Sequence, residues 1–226
     1  MAHVVLHQWE ISPFCGKVRK ILRRKGIEYR VINYNGLRAP KAARLSRTRK
    51  LPVLEWDGDR IADSTAIAAY LEERKPLPAL VPAEPGDAAL ARILEDWADE
   101  SLYYFEVFFR VQYDGALSRS VDLLCKDRPA WERPLFQRIF SRMMRRKLKE
   151  HGFSGRTCEQ IETEFFRHLV ELETLLRERD WLVGGSPSIA DIAVSAQIDE
   201  VVRTSHLAGQ IREMPGVSKW LARMAA

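Results

Sequence analysis

The chain has 226 residues, of which 46% are hydrophobic and 30% charged, and its formal net charge is +5 at pH 7. This composition is typical of an ordinary globular protein and excludes a disordered chain. No apolar stretch approaches the roughly 20 residues of a membrane span, and residues 1–10 lack the pattern of a signal peptide. We therefore expect a cytoplasmic protein of two domains with no membrane partner.

The charge is distributed unevenly along the chain. Residues 1–78 contain 16 basic and 8 acidic residues, whereas the remainder contains 20 basic and 23 acidic ones. A basic domain can bind nucleic acid or attract a small anionic ligand. No nucleic-acid-binding motif accompanies the basic residues, so we expect a small anion and no nucleic acid.

Three cysteines are scattered over the chain, at Cys15, Cys125 and Cys158. They are too few and too far apart in sequence for a disulfide framework or a zinc site. We expect free thiols and no bound metal.

The N-terminal third alternates between strand and helix patterns. The run HVVLHQ (3–8) predicts a buried strand, and the apolar spacing after Pro13 predicts a helix that ends near Gly26. The run YRVINY (29–34) predicts a second strand, followed by a basic loop, with room for a short helix, up to Lys50.

A hairpin and a helix complete the predicted N-terminal domain, at residues 50–62 and 63–75 respectively. Residues 76–85 contain four prolines and predict a linker. Only helical patterns follow. They predict helices at residues 88–113, 117–126, 130–150, 157–179, 188–204 and 215–225. The predicted fold is an α/β thioredoxin-like domain of order β-α-β-β-β-α (1–77), followed by an all-α helical bundle domain (87–226).

The stretch EISPFCGKVRKIL (10–22) has two interpretations. Ser12 followed by Pro13 is a common helix start, because Ser caps free N–H groups and Pro suits the first helical position. The same place, directly after a strand, is also suited to an anion, because free N–H groups and the positive end of the helix dipole meet there. Cys15 could be a low-pKa nucleophile or a small buried core residue, and Ser12 replaces the first Cys of a C-x-x-C motif.

Two further stretches could bind a ligand. If the bond before Pro52 is cis, the Leu51 backbone turns outward and could pair with the main chain of a bound peptide. Asp63 and Ser64 open a helix, where they could hold the ammonium and carboxylate of an amino acid or serve as plain caps.

Together, SPFCGKVR, KLPVLEWDG and IADSTAIAAYLEE, followed by helices, resemble the cytosolic glutathione transferases, and Ser-Pro-Phe resembles the serine-type tau class. The segment SIADIAV (188–194) resembles the N-capping box of a core helix in that family, with Ser188 and Asp191 in structural roles. The resemblance extends over nearly the whole chain.

The resemblance implies that the chain binds glutathione as co-substrate and stabilises its thiolate for attack on a small hydrophobic electrophile. Ser12 is then the catalytic residue. The glutathione-binding residues are Lys50 for the glycine carboxylate, Leu51 with Pro52 for the cysteinyl backbone, and Asp63 with Ser64 for the γ-glutamyl end. Asp63 stands where the family usually has Glu.

The resemblance also implies a homodimer, a role in detoxification, and an electrophile site lined by the helical domain. Candidates for the lining are Tyr103, Tyr104, Phe105, Phe108 and Phe109, of which at most two are expected to line it, because such aromatic stripes more often belong to a core. Two alternatives remain open: a non-catalytic binding or scaffold protein, and a glutathione-dependent thiol oxidoreductase that uses Cys15. The sequence fixes neither the electrophile nor the role of residues 115–156.

Overall fold

The computed structural model describes residues 3–225. Its four β-strands are β1 (Val4–Gln8), β2 (Arg30–Asn33), β3 (Val53–Trp56) and β4 (Asp59–Ala62). They form one sheet in the order β2-β1-β3-β4. β1 is parallel to β2, while the β1–β3 and β3–β4 pairs are antiparallel.

Ten α-helices accompany the sheet within residues 3–225: α1 (Pro13–Arg24), α2 (Ser64–Arg74), α3 (Pro85–Trp97), α4 (Tyr103–Gln112), α5 (Asp114–Leu124), α6 (Glu132–Glu150), α7 (Cys158–Leu176), α8 (Ile189–Thr204), α9 (Ala208–Arg212) and α10 (Pro215–Ala225). A 3-10 helix spans Gly36–Arg44, and a π-helical turn at Ala98–Leu102 joins α3 to α4. The predicted fold class, a thioredoxin-like sheet domain followed by helices, is confirmed.

The chain divides into two compact units. The first comprises the residues up to Leu80 together with Ser120–Arg138, and the second comprises Val81–Arg119 and the residues from Ile139 onward. No helix within residues 3–225 is both long and apolar enough to cross a bilayer.

The core of the first unit lies between the sheet and the helices α1 and α2. Leu6, Val18, Leu54 and Leu71 are fully buried there, as the strand and helix periodicities predict. α1 ends as predicted at a glycine: Gly26 has a φ of +56°, which glycine adopts at little cost.

Residues 120–138 hold the start of the 3-10 helix within this first unit. The Glu132 carboxylate accepts the Leu37 N–H at 3.0 Å, and the Asn35 side chain donates to the Lys126 carbonyl at 3.1 Å. The Arg128 guanidinium pairs with Glu132 and, with the Leu37 N–H, holds the pKa of Glu132 below its usual range.

The core of the second unit contains most of the aromatic residues that were candidates for the electrophile site. Phe105 and Phe109 pack against Phe165 with ring centroids 5.9 and 5.0 Å apart, and Phe108 packs against Phe153 at 6.0 Å. Tyr104, Phe105, Phe108 and Phe109 are all buried. These contacts favour the core interpretation for those four side chains.

The Asp191 carboxylate connects several segments of the second unit by hydrogen bonds, including those of the predicted capping box. Asp191, which is fully buried, accepts hydrogen bonds from the N–H and hydroxyl of Ser188, the Leu182 N–H and the Trp220 indole N–H at 2.8–2.9 Å. The capping box of Ser188 and Asp191 at the start of α8 is confirmed. Asp191 therefore links α8 to α10 and to the segment before α8.

A second buried charge group lies on α4 and α8. Glu106 pairs with Arg110 one turn away, and Arg110 is 3.8 Å from the Glu200 carboxylate. Burial, reinforced by the negative charge of Glu200 and opposed by Arg110, raises the pKa of Glu106 to about 8.

Candidate functional site

Three of the segments singled out in the sequence leave the sheet at the same end. β1 ends at Gln8, and its neighbour His7 lies opposite Val53, the first residue of β3. Val53 lies opposite Ala62, the last residue of β4. The turn before α1, the residues before β3 and the residues after β4 therefore all emerge at one edge of the first unit.

Ser12 caps α1 and is half-buried at this edge. Its hydroxyl oxygen accepts the Cys15 N–H at 3.4 Å, and Pro13 occupies the first helical position. Within residues 3–225 the hydroxyl proton has no acceptor, so it can be donated to a ligand. A helix start also places free N–H groups and positive dipole potential beside that hydroxyl.

Cys15 lies one turn further along α1 and is completely buried. All three cysteines are free thiols, as expected. Burial without contact to solvent is typical of a structural cysteine, whereas a reactive one is partly exposed. The position therefore favours the core interpretation of Cys15.

The bond between Leu51 and Pro52 is cis. Pro52 is buried, Leu51 is half-buried and Lys50 is exposed. Neither the N–H nor the C=O of Leu51 has a backbone partner among the residues that the structure describes. These groups can pair with an extended peptide in the manner of an added strand.

Asp63, rather than Ser64, caps α2. Its Oδ1 accepts the N–H groups of Thr65 and Ala66 at 3.0 and 3.1 Å, while Ser64 is the first helical residue and is buried. Oδ2 of Asp63 has no partner within residues 3–225. The helix start thus combines one exposed carboxylate oxygen with the free N–H groups and hydroxyl of the first turn.

Lys17 is a residue of this edge to which sequence reasoning gave no role. Lys17 is 1% exposed, and its Nζ donates to the Thr65 hydroxyl at 3.1 Å, which connects the second turn of α1 to the first turn of α2. A buried ammonium beside two helix N-termini adds positive charge and favours an anionic ligand. The only signal in the sequence was its place in the stretch SPFCGKVR.

No general base contacts the Ser12 hydroxyl in residues 3–225. The nearest histidine in sequence, His7, instead contacts the Tyr34 hydroxyl at 2.9 Å and lies 3.6 Å from the Glu55 carboxylate. Burial lowers the pKa of His7, although Glu55 opposes the shift. Among these residues the Ser12 hydroxyl thus lacks the adjacent base that a base-activated nucleophile requires.

In the described part of the chain, no three or more His, Cys, Asp or Glu side chains form a group suited to a metal ion.

Two domain models of one protein family match this chain. Residues 6–79 match the family model of the glutathione S-transferase N-terminal domain, and residues 148–223 match that of the C-terminal domain. Together the two matches cover about two thirds of the chain. The chain belongs to the glutathione transferase family.

Individual relatives are more distant. A maleylacetoacetate isomerase from Rattus norvegicus is 33% identical over 98 residues, which cover 41% of this chain and 45% of the relative. A glutathione S-transferase from Pseudomonas putida is 30% identical over 124 residues, which cover 54% and 55%. The matched part thus spans about half the length of these curated relatives.

A solved structure resembles almost the whole chain. A glutathione S-transferase from Methylobacterium radiotolerans, in complex with glutathione sulfonate, is 25% identical, with a TM-score of 0.62, and the match covers 99% of this chain and 91% of that protein. Family membership, together with such complexes, supports glutathione as the ligand of this chain.

Proposed function

We propose that this glutathione transferase binds glutathione at the edge formed by Ser12, Leu51 and Ser64, and that Ser12 stabilises the glutathione thiolate. The observation that carries the proposal is the convergence of two helix N-termini and an unpaired backbone segment at one end of the sheet. These groups complement a short peptide with two carboxylates and a thiol.

Each part of the peptide has a complementary group. The Leu51 N–H and C=O pair with the cysteinyl main chain beside Pro52, and the Lys50 ammonium pairs with the glycine carboxylate. The N–H groups and hydroxyl at Ser64 take the γ-glutamyl carboxylate, and the Asp63 carboxylate takes its ammonium.

Ser12 acts on the sulfur as a donor. A hydrogen bond to a charged group contributes about 1.5–3 kcal/mol, and a helix N-terminus contributes about 0.3–1 kcal/mol. Since one pKa unit corresponds to 1.36 kcal/mol, the pKa of a thiol falls from about 8.5 to roughly 6 or 7. The bound thiolate then attacks a small hydrophobic electrophile. A carbon–sulfur bond forms while the leaving group departs with its electron pair, or the sulfur adds to a double bond and the resulting carbanion takes a proton from water.

The experiment is a thiolate absorbance titration of bound glutathione against pH, in the wild type and in Ser12→Ala. We expect the substitution to raise the pKa of the bound thiol by about 1 to 2 units. Thr157→Ala is the matched control, because Thr157 also caps a helix through its hydroxyl, at 3.2 Å from the Gln160 nitrogen. Equal titration of all three proteins would contradict the role of Ser12.

Variants of the residues that would hold the two ends of glutathione separate glutathione binding from activation of its thiol. Lys50→Ala and Ser64→Ala should weaken glutathione binding, measured by calorimetry, while the bound thiol keeps its lowered pKa. Cys15→Ser should retain conjugation of an activated aryl halide, and loss of conjugation with intact folding would favour the oxidoreductase alternative.

The expected homodimer is part of the proposal, as is a cytoplasmic role in detoxification. Sedimentation velocity at several protein concentrations tests the dimer, and a concentration-independent monomer would contradict it. Failure of the wild type to bind glutathione would favour a non-catalytic binding protein.

A further inference from the structure

Helix α6 carries a row of exposed apolar side chains. Leu135, Ile139 and Met143 recur every four residues along the helix and are 47%, 49% and 45% exposed. Trp131, one residue before the helix, continues the spacing and is 65% exposed. Because residues four apart are neighbours on a helix surface, these side chains form one continuous row. We call Trp131, Leu135, Ile139 and Met143 the α6 stripe.

The stripe arises because α6 has more apolar side chains than the fold buries. Each helical residue of the stripe is followed directly by a buried apolar one, at Phe136, Phe140 and Met144. Consecutive helical residues point about 100° apart, so one apolar column lies in the core and a second lies beside it at the surface. The core packing of α6 therefore does not account for the stripe.

The stripe also differs from the other exposed apolar residues. Single exposed apolar side chains are normal on a protein surface, whereas a continuous patch of a few hundred Å² marks an interaction site. Four large side chains that are about half exposed leave on the order of a few hundred Å² of apolar surface. Elsewhere in residues 3–225, the exposed large apolar residues occur singly along the chain or as one pair on α3: Val31, Leu77, Val170, and the pair Leu90 and Ile93.

The segment around the stripe is strongly basic. Residues 133–150 contain seven Lys and Arg and one acidic residue, Glu150. Three exposed arginines, Arg138, Arg142 and Arg146, each follow a residue of the stripe by three positions and so lie beside it on the helix. Two exposed ion pairs involve this segment, Arg133 with Asp122 and Arg146 with Glu150. They leave the segment with a large excess of positive charge.

A second copy of this chain is the less favoured occupant of the stripe. A two-fold symmetric contact places the same patch of both copies face to face. Two α6 helices, each with seven basic residues in its segment 133–150, would then repel each other. A stable interface also buries about 800 Å² per partner, which is more than the stripe exposes. An apolar surface that is itself negatively charged fits better.

We propose that the α6 stripe binds the surface of a bilayer that contains anionic lipids. A helix at such a surface buries Trp and aliphatic side chains at the boundary of the acyl chains and places Lys or Arg beside the anionic headgroups. α6 combines these two features on adjoining faces. At 1.5 Å per residue, the stripe is about 18 Å long and lies along the surface without spanning the bilayer.

This proposal departs from the expectation that the protein has no membrane partner. That expectation rested on the lack of an apolar span, and a helix that lies in the interface needs none. The proposal also goes beyond glutathione binding, because neither the stripe nor the arginines beside it belong to the proposed glutathione site.

The test is co-sedimentation of the whole protein with vesicles of phosphatidylcholine, alone or mixed with phosphatidylserine. The stripe variant is Leu135→Ser/Ile139→Ser/Met143→Ser. Its matched control is Leu90→Ser/Ile93→Ser/Val170→Ser, whose side chains are 42%, 63% and 54% exposed on α3 and α7. The charge variant is Arg142→Glu/Lys149→Glu, and its control is Arg92→Glu/Arg167→Glu, at four exposed positions.

We expect the wild type to bind the vesicles with phosphatidylserine about tenfold or more tightly than the neutral ones. The stripe variant and the charge variant should each weaken this binding about tenfold or more, and both controls should change it less than threefold. Thermal unfolding of every variant should match the wild type, because all substituted side chains are exposed. No binding to either vesicle, equal affinity for both, or equal losses in a variant and its control would overturn the proposal.

Trp131 reports directly on contact with the acyl chains. Its emission should shift to the blue when anionic vesicles are added, and the shift should shrink in Trp131→Phe while vesicle affinity stays within about threefold. The same shift in both proteins would contradict insertion of the stripe.

Sedimentation velocity without vesicles tests the second copy as occupant. We expect the stripe variant and its Ser control to have the same oligomeric state as the wild type. Dissociation of a wild-type dimer by the stripe variant, and not by the control, would show that the stripe is a dimer contact and would overturn the proposal.

Discussion

Replacement of Asp191 by Asn tests how much one buried carboxylate stabilises the second unit. Asn keeps one oxygen for the Leu182 N–H and the Trp220 indole N–H, but its amide NH2 would face the N–H of Ser188. Hydrogen bonds to a charged group contribute about 1.5–3 kcal/mol, and a buried donor left without a partner costs about 1–3 kcal/mol. We therefore expect the free energy of unfolding to fall by about 3 kcal/mol.

Urea denaturation followed by circular dichroism measures this loss. Since typical proteins have a total stability of about 5–15 kcal/mol, the Asn variant should still fold. Asp96→Asn is the matched control: Asp96 is exposed, and the change should stay within about 0.5 kcal/mol.

A double-mutant cycle with Trp220→Phe distinguishes loss of the hydrogen bonds to Asp191 from a general loss of stability. Trp220→Phe removes one donor to Asp191, so the double variant should lose less stability than the sum of the two single variants. A loss in Asp191→Asn no larger than that in Asp96→Asn, or full additivity with Trp220→Phe, would refute the assignment of these hydrogen bonds.

Gly36→Ala should lower the free energy of unfolding by about 1–3 kcal/mol, because the φ of +56° and the close Glu132 carboxylate both oppose a Cβ. Gly209→Ala is the control: an added Cβ would have nothing within 4 Å, so this variant should be neutral or stabilising in thermal unfolding. Because the pKa of Glu106 is raised to about 8 in the folded protein, the free energy of unfolding should fall as pH rises from about 5 to 8. In urea titrations at several pH values, Glu106→Gln should show a flatter dependence of this free energy on pH. Parallel profiles of the wild type and the variant would contradict this. Glu132→Gln should speed amide hydrogen exchange at Leu37, whose N–H it binds, and unchanged exchange would show that the carboxylate does not hold the 3-10 helix.

Strong local signals explain most of what the sequence predicted. Pro13, Gly26 and the Ser188–Asp191 pair mark helix ends through backbone chemistry that does not depend on the rest of the fold. The fold class and the hairpin follow from the same kind of signal. Helix α9 (Ala208–Arg212) was missed because five residues are too few to show a 3.6-residue period.

Other features depend on contacts between distant parts of the chain. The π-helical turn at Ala98–Leu102 lies inside a continuous apolar pattern, so the sequence predicted one helix where two are joined by that turn. The 3-10 helix was predicted only as a loop with room for a short helix, since its period of three does not match the α-helical template. The burial of Lys17 between α1 and α2 required knowledge of how those helices meet.

The sequence predicted which segments form the candidate site, but it did not predict their exact contacts. Ser12, Leu51 and Ser64 were placed near strand ends, and the register of β1, β3 and β4 brings those ends together. The sequence could not decide between Asp63 and Ser64 as the cap of α2, because both residue types are good N-caps.

The discontinuous first unit affects how this protein can be divided or recombined. Its residues up to Leu80 depend on Ser120–Arg138 for the partners of Asn35 and Leu37. A fragment cut at residue 80, or a chimera with a relative joined there, separates the 3-10 helix from the carboxylate and carbonyl that anchor it. Exchange of N-terminal domains among such proteins should therefore transfer the two stretches as a pair.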